Sequence, residues 1–533
     1  MKKIYVLIIS FSFLLGACND LLEKVPSKQS DIVPTHVDYL IGLLSSDDMY
    51  VSASDDKVLL SDDFNALRIF QEQNDKTFSR MGMQFPLTWS FKNLTAVKYS
   101  RSCWESEYSI IYRANTILDY LSDVSGTEQE KLRLKADAHF IRAFSHFNLV
   151  NTFSLPYKAD KSNGEDLGVP IQTFPSIANF PVRSSLEDTY QFIIDELKIS
   201  EELLKDQELE IAPIGNICQW RASKPAVYAL LSKVYFTIGD YSNAKDYATK
   251  AIVNSGAASL IDFNTEVSYA DESVNKEVDV MIESGVIVKD TVKMPMTSNN
   301  TFEPFDWKEN FYYKTDGFSS KPWLVPTDDL IQLYGETEDQ RSYDLRWKYL
   351  FVQNFSYTES FFRGFLKGNT YNAPIKICAY KGLHHIGLNL ADMYLVKAEC
   401  EAREGNLGEA QDIINQFRLK RFDASAPSDI RNLTFVSKDD AIKKILDERR
   451  REMPFYSRWY DLRRIAANGE FSYIPEKLSR DFFEFDNNNV FTDRPKAYEF
   501  YPKTDYLKFA FPIPYTDIEL AEKFGVILEQ NKY

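Results

Sequence analysis

Apolar residues recur with the 3.6-residue period of a helix over much of the chain, and two stretches show the pattern most completely. In the first, Tyr394, Leu395, Ala398 and Ala402 share one face; after Gly405-Asn406, Leu407, Ala410, Ile413, Ile414 and Phe417 resume the period. Glycine supplies the left-handed residue that ends a helix cheaply, so the stretch predicts two antiparallel helices joined by a tight turn. The same design occurs upstream, where Tyr228, Leu231, Ser232 and Tyr235 lead into Gly239-Asp240, then Ala244, Ala248 and Ala251. Superposing Gly239 on Gly405 also superposes Ala244 on Ala410 and Tyr228 on Tyr394.

Small residues at fixed places in a helix-turn-helix of roughly 34 residues resemble the tetratricopeptide pattern. The match is partial: Glu401 stands where Tyr235 stands in the first copy, and Ala248 or Ile414 replaces the usual aromatic of the second helix. Helical periodicity extends over about 35–50, 103–153, 184–205, 223–254, 388–421 and 438–466. At the third of these, Ser184-Ser185-Leu186-Glu187 reads as a capping box with Ser184 as N-cap. Two stretches, about 54–100 and 255–380, lose the period and carry turn residues instead. The expectation is a mainly all-α chain: a tetratricopeptide-like repeat scaffold carrying a large irregular, aromatic-rich ligand-binding lobe.

At the start, Met1-Lys2-Lys3 is positive and Ile4–Leu15 is apolar but too short to span a bilayer, as in a secretory signal. Leu15-Gly16-Ala17-Cys18 then resembles a lipobox. This predicts cleavage of a signal peptide at 1–17, a lipidated Cys18 opening a tether at 18–34, and a single domain at 35–533 that meets the membrane only through its anchor. With 78 acidic against 62 basic residues and a net charge of -16, the chain lacks the basic face that nucleic acid requires. The other cysteines, Cys103, Cys218, Cys378 and Cys400, are not spaced as a zinc or redox motif and read as isolated thiols.

The 255–380 stretch is rich in aromatics, among them Trp307, Tyr312, Tyr313 and Trp323, and Trp89 lies in the other unpatterned stretch. Aromatic faces stack on the apolar faces of sugar rings while Asn, Asp, Arg and Lys bond the hydroxyls. Trp89, Trp307, Trp323, Tyr312 and Tyr313 are therefore the ligand-binding candidates, with only one of the two adjacent tyrosines facing the ligand. The competing use of each ring is to pack the small core that holds the lobe down. No residues have the pattern of a metal, phosphate or dinucleotide site; His384-His385 lacks an HExxH context, and no cofactor is expected. Arg449-Arg450-Arg451, with Glu448, Glu452 and Asp461 close by, reads as ion pairing on a packed helix.

Several segments taken together resemble the SusD/RagB family. They are Trp104-x3-Tyr108-x2-Ile111 with Arg113-Ala114-Asn115, Ala138-x-Phe140-Ile141-Arg142-Ala143 ending in Leu155-Pro156, and Arg183-Ser184. Ala222-Ser223-Lys224, Ala391-Asp392-Met393-Tyr394-Leu395 with Ala398-Glu399, Glu448 to Glu452, Trp459 to Arg464, and Phe511-Pro512-Ile513-Pro514 follow in family order. Asn389 and Lys532 depart from the family pattern. The resemblance implies an outer-membrane lipoprotein, not an enzyme, that captures a glycan and delivers it to a SusC-like TonB-dependent transporter. A secreted glycoside hydrolase and a scaffold subunit that binds no ligand are the alternatives.

Overall fold

The computed structural model describes residues 33–46, 49–52, 57–64, 88–91, 103–176, 181–205, 220–269, 307–316, 326–358, 370–376, 386–482 and 496–533, with short strand segments between 276 and 301. Cys18, Trp323, Cys218, Cys378 and His384-His385 lie outside the described residues. The structure is mainly helical, as the periodicity predicts.

The first layer is built from α1 (Val37–Leu43), α2 (Cys103–Tyr120), α3 (Glu128–Phe153) and α4 (Leu186–Leu203). Thr127 and Glu130 cap α3 reciprocally, and from Ala136 to Phe153 every residue of that helix is buried because α2 and α4 flank it. The N-cap of α4 is Ser185, not Ser184: Ser185 Oγ accepts from the Asp188 amide at 3.0 Å. The reason lies upstream, where the strand Arg183–Ser185 pairs with Leu167–Pro170 and holds Ser184 extended. Cys103 and Cys400 are buried, and Cys103 Sγ donates to Thr152 Oγ1 at 3.6 Å.

The first repeat is α5 (Lys224–Thr237) with α6 (Tyr241–Val253). The chain then enters the lobe, which the periodicity treats as irregular but which contains α7 (Asp328–Tyr334), α8 (Glu338–Ser342) and α9 (Leu345–Leu350), all too short to show a period. Hairpin strands such as Phe351–Thr358 with Thr370–Lys376 complete its described part. The second repeat follows as α10 (Leu390–Glu404) and α11 (Leu407–Arg418), and α6 packs on α10, so the two repeats stack. Gly239 and Gly405 both have positive φ (80° and 92°), and the amides of Asp240 and Asn406 reach back to the carbonyls of Tyr235 and Glu401, each at 2.9 Å. Ala244 and Ala410, at corresponding places, are fully buried. Asn389 serves as N-cap of α10, accepting from the Asp392 amide at 2.8 Å.

The stretch 438–466 is two helices, α12 (Lys438–Glu452) and α13 (Tyr456–Ala467), broken at Pro454-Phe455. Phe455 takes a φ of 70°, and its amide donates to Asp63 Oδ2 at 2.8 Å, fixing the first unpatterned stretch to this break. The two unpatterned stretches also meet where Phe64 bridges Pro326, and Val51–Ser52, just before the first of them, runs parallel to Thr315–Asp316. Arg183 closes the first layer over the C-terminal segment, donating to the carbonyl of Glu529 at 3.0 Å and to Asn531 Oδ1 at 2.9 Å; Asn531 Nδ2 donates to the Phe153 carbonyl at 2.8 Å.

Candidate functional site

Three of the five aromatic candidates are core residues. Trp89 is 1% exposed; its indole N–H donates to the Leu60 carbonyl at 3.1 Å, and the Arg480 guanidinium lies 4.8 Å from its ring. Tyr312 and Tyr313 are each 1% exposed, against the expectation that one of them faces a ligand. The strand Asn310–Tyr312 pairs with Leu388–Asn389 and all its residues are buried, as is Tyr313 just beyond its end. Tyr312 meets Phe140 and Phe144 of α3 at 4.9 and 5.0 Å, while Tyr313 meets Tyr50 at 5.8 Å. A ring without an open face cannot stack on a sugar, so these three assignments are corrected.

Trp307 is different. It is half-buried, and its ring meets Phe263 edge-on at 6.1 Å. Ile261, Phe263, Val267 and Leu345 form a small core of their own, and both Trp307 and the half-buried Tyr349 pack on its rim. The turn that carries Phe263 is fixed by its own polar groups: the Asp262 amide donates to Glu266 Oε1 at 2.8 Å and the Asn264 amide to Asp262 Oδ1 at 3.1 Å. Lys420 Nζ donates to Asp262 Oδ2 at 2.8 Å, and Lys308, next to Trp307, pairs with Glu266. Burial works against ionisation of Asp262, but hydrogen bonds from Lys420 and Asn264 outweigh it and hold the carboxyl below its ordinary range. Two partly open rings are thus edged by carboxylates, ammonium groups and an amide.

Beneath this rim sits a buried ion network that the sequence reading did not find. Glu309 Oε1 accepts from the Ile261 amide at 2.7 Å and from Arg421 Nη2 at 2.8 Å, and Arg421 Nη1 donates to the Ile261 carbonyl at 2.7 Å. The Arg421 guanidinium lies over Phe263 and Phe417 at 5.0 and 4.6 Å and pairs with Glu452 of α12. Glu452 and Glu448 in turn hold Arg346 of α9 at 3.0 and 2.8 Å. Burial pushes Glu309 above the ordinary carboxylate range; burial alone would loosen the Arg421 proton, but Glu309 and Glu452 tighten it. The lobe is therefore fixed to the repeats through charge. The sequence reading places Glu448 and Glu452 in ion pairs on a packed helix but not Glu309, Arg346 or Arg421, whose hint is the run Phe417-Arg418 to Arg421-Phe422, where cations and rings stand at helical spacing. The arginine triplet does form ion pairs: Arg449 with Asp392 and Asp461, Arg450 with Asp63, and Arg451 with Glu448.

A family model described as "Starch-binding associating with outer membrane" (SusD-like) matches residues 28–236, and the SusD family model matches residues 386–532. The chain belongs to the SusD/RagB family. SusD-like protein P2 of Formosa agariphila is 22% identical over 401 residues, covering 69% of this chain and 72% of that protein. The starch-binding protein SusD of Bacteroides thetaiotaomicron is 27% identical over 195 residues, 34% of this chain and 31% of that one. A putative sugar binding protein from Bacteroides vulgatus superposes with a TM-score of 0.59 at 19% identity, covering 94% of this chain and 99% of its own. Surface glycan-binding protein A from Bacteroides uniformis superposes with a TM-score of 0.54 at 14% identity, over 93% and 99%. These structures share the SusD fold with this chain. The lobe strand Asn310–Tyr312 and the rim residues Trp307, Tyr349, Asp262 and Glu266 fall between the two matched regions, while Lys420 of the rim lies inside the second.

Proposed function

We propose that this protein binds a glycan at the outer membrane and passes it to a SusC-like TonB-dependent transporter. The observation that carries the glycan reading is the rim around Trp307: two half-buried rings, Trp307 and Tyr349, on one small core, edged by polar groups that can bond hydroxyls. Stacking uses the face of a ring and hydroxyl recognition uses fixed donors and acceptors, and the rim offers both. Trp323 is retained as a second stacking residue. The relatives are named as binding proteins, which supports capture over hydrolysis. Attachment is assigned to lipid on Cys18: no helix among the described residues is long and apolar enough to cross a membrane.

Calorimetry of the delipidated protein against an oligosaccharide panel tests the reading. A cognate glycan should appear, and Trp307→Ala should weaken it by about 2 kcal/mol, on the order of thirtyfold, with the melting temperature nearly unchanged. Full affinity in that variant removes the rim as the site. Cys18→Ala should release the protein from the outer-membrane fraction in cells lacking the transporter.

A further inference from the structure

Around Trp307 two lysines among the described residues are already occupied. Lys308 is paired with Glu266 and Lys420 with Asp262, while the Lys348 ammonium lies 5.1 Å from the Tyr349 ring. Neither pair is deeply buried: Lys308 and Lys420 are 35% and 43% exposed. The chain as a whole carries a net charge of -16. An acidic sugar approaching this rim meets a repulsive long-range field, and at contact it must displace a protein carboxylate to gain an ammonium. A neutral sugar meets neither obstacle, because its hydroxyls can accept from a paired lysine and donate to its carboxylate in the same place.

We propose that the Trp307 rim is selective for neutral glycans, and that Asp262 and Glu266 set this selectivity by holding the lysines that a uronate or sulfate would otherwise take. The proposal rests on the glycan reading of the rim given above. It makes the two carboxylates specificity-determining: they discriminate by occupying the cations, which is a repulsive element against the wrong ligand as much as an attractive one for the right ligand. Both have a backbone task as well, since Asp262 and Glu266 accept the amides of Asn264 and Asp262. The amide isosteres Asn and Gln keep an acceptor oxygen for those amides while removing the charge.

The test compares neutral hexose and pentose oligosaccharides with an oligogalacturonate of matched length, at low and high salt. For the wild-type chain, the best neutral ligand should bind at least about tenfold more tightly than oligogalacturonate, with an affinity that salt leaves nearly unchanged. In the double variant Asp262→Asn, Glu266→Gln, the ratio of oligogalacturonate to neutral affinity should rise at least about tenfold, and high salt should abolish the gain. Oligogalacturonate binding the wild type as tightly as any neutral ligand overturns the selectivity, as does an unchanged ratio in a double variant that melts like the wild type. Should the double variant fail to fold, the wild-type ratio and its salt dependence still decide. Neutral binding that survives Trp307→Ala intact overturns the rim itself, and that outcome is separate from a rim that binds both classes.

Discussion

Trp89 is held by three contacts that one substitution removes together: the bond to the Leu60 carbonyl, the Arg480 guanidinium over its ring, and Phe500 at 5.9 Å. Trp89→Ala should therefore cost about 3–5 kcal/mol in denaturant titration, with the residual affinity of the folded fraction close to wild type. Trp307→Ala should show the opposite pattern. Both residues sit in unpatterned sequence, and burial of a single ring outside a helix leaves no periodic trace, which is why Trp89, Tyr312 and Tyr313 were indistinguishable from Trp307 before the fold was known. His146 illustrates a second property that sequence hides. Its Nδ1 donates to the Arg142 carbonyl at 2.7 Å, Phe192 lies 5.0 Å from its ring, and Nε2 is buried with no partner among the described residues. Burial, aided by the Arg142 charge and opposed by Glu196 and Glu107, lowers its pKa to about 4. The unfolded chain binds this proton near pH 6.5 and the folded one does not, so stability is complete above pH 6.5 and is lost as pH falls toward 4, by on the order of 3 kcal/mol. Stability curves between pH 4 and 7 should flatten in His146→Gln.

At the level of elements, the paired repeats were legible because their determinants are local: a stripe of apolar residues, a glycine at the turn, a small residue where helices touch. Helix ends were less so. Ser184 and Ser185 are equivalent as capping residues in sequence, and the choice between them is made by a strand partner at Leu167–Pro170. The two turn glycines also differ in a way that repeat logic does not predict. A Cβ on Gly405 would meet nothing within 4 Å, whereas one on Gly239 would lie 2.3 Å from the Ala159 side chain. Gly405→Ala should cost about 1 kcal/mol, the strain of a left-handed residue alone, and Gly239→Ala should cost distinctly more. Equal shifts of the denaturation midpoint would show that the Ala159 contact yields freely.

For the whole molecule, the lobe and the repeats are joined by charges that come from residues far apart in the chain, and no local pattern announces such a junction. Arg421→Gln leaves Glu309 buried beside Glu452 with its main partner gone, and should destabilise by about 3–5 kcal/mol. Hydrogen exchange should rise first at 261–267, where the Ile261 amide and carbonyl are held, before the repeats loosen. Protection lost evenly across the repeats would mean that the network supports the fold at large. The Arg183 clasp bears on the order of events during synthesis. The first layer, finished in sequence by Leu203, depends on Glu529 and Asn531, separated from Arg183 by 346 and 348 positions. While the chain emerges, Arg183 is left without two of its acceptors and the Phe153 carbonyl keeps only the longer bond from Arg183 Nη2 at 3.3 Å, so the earliest helices have to wait, incompletely closed, for a segment made more than 340 residues later.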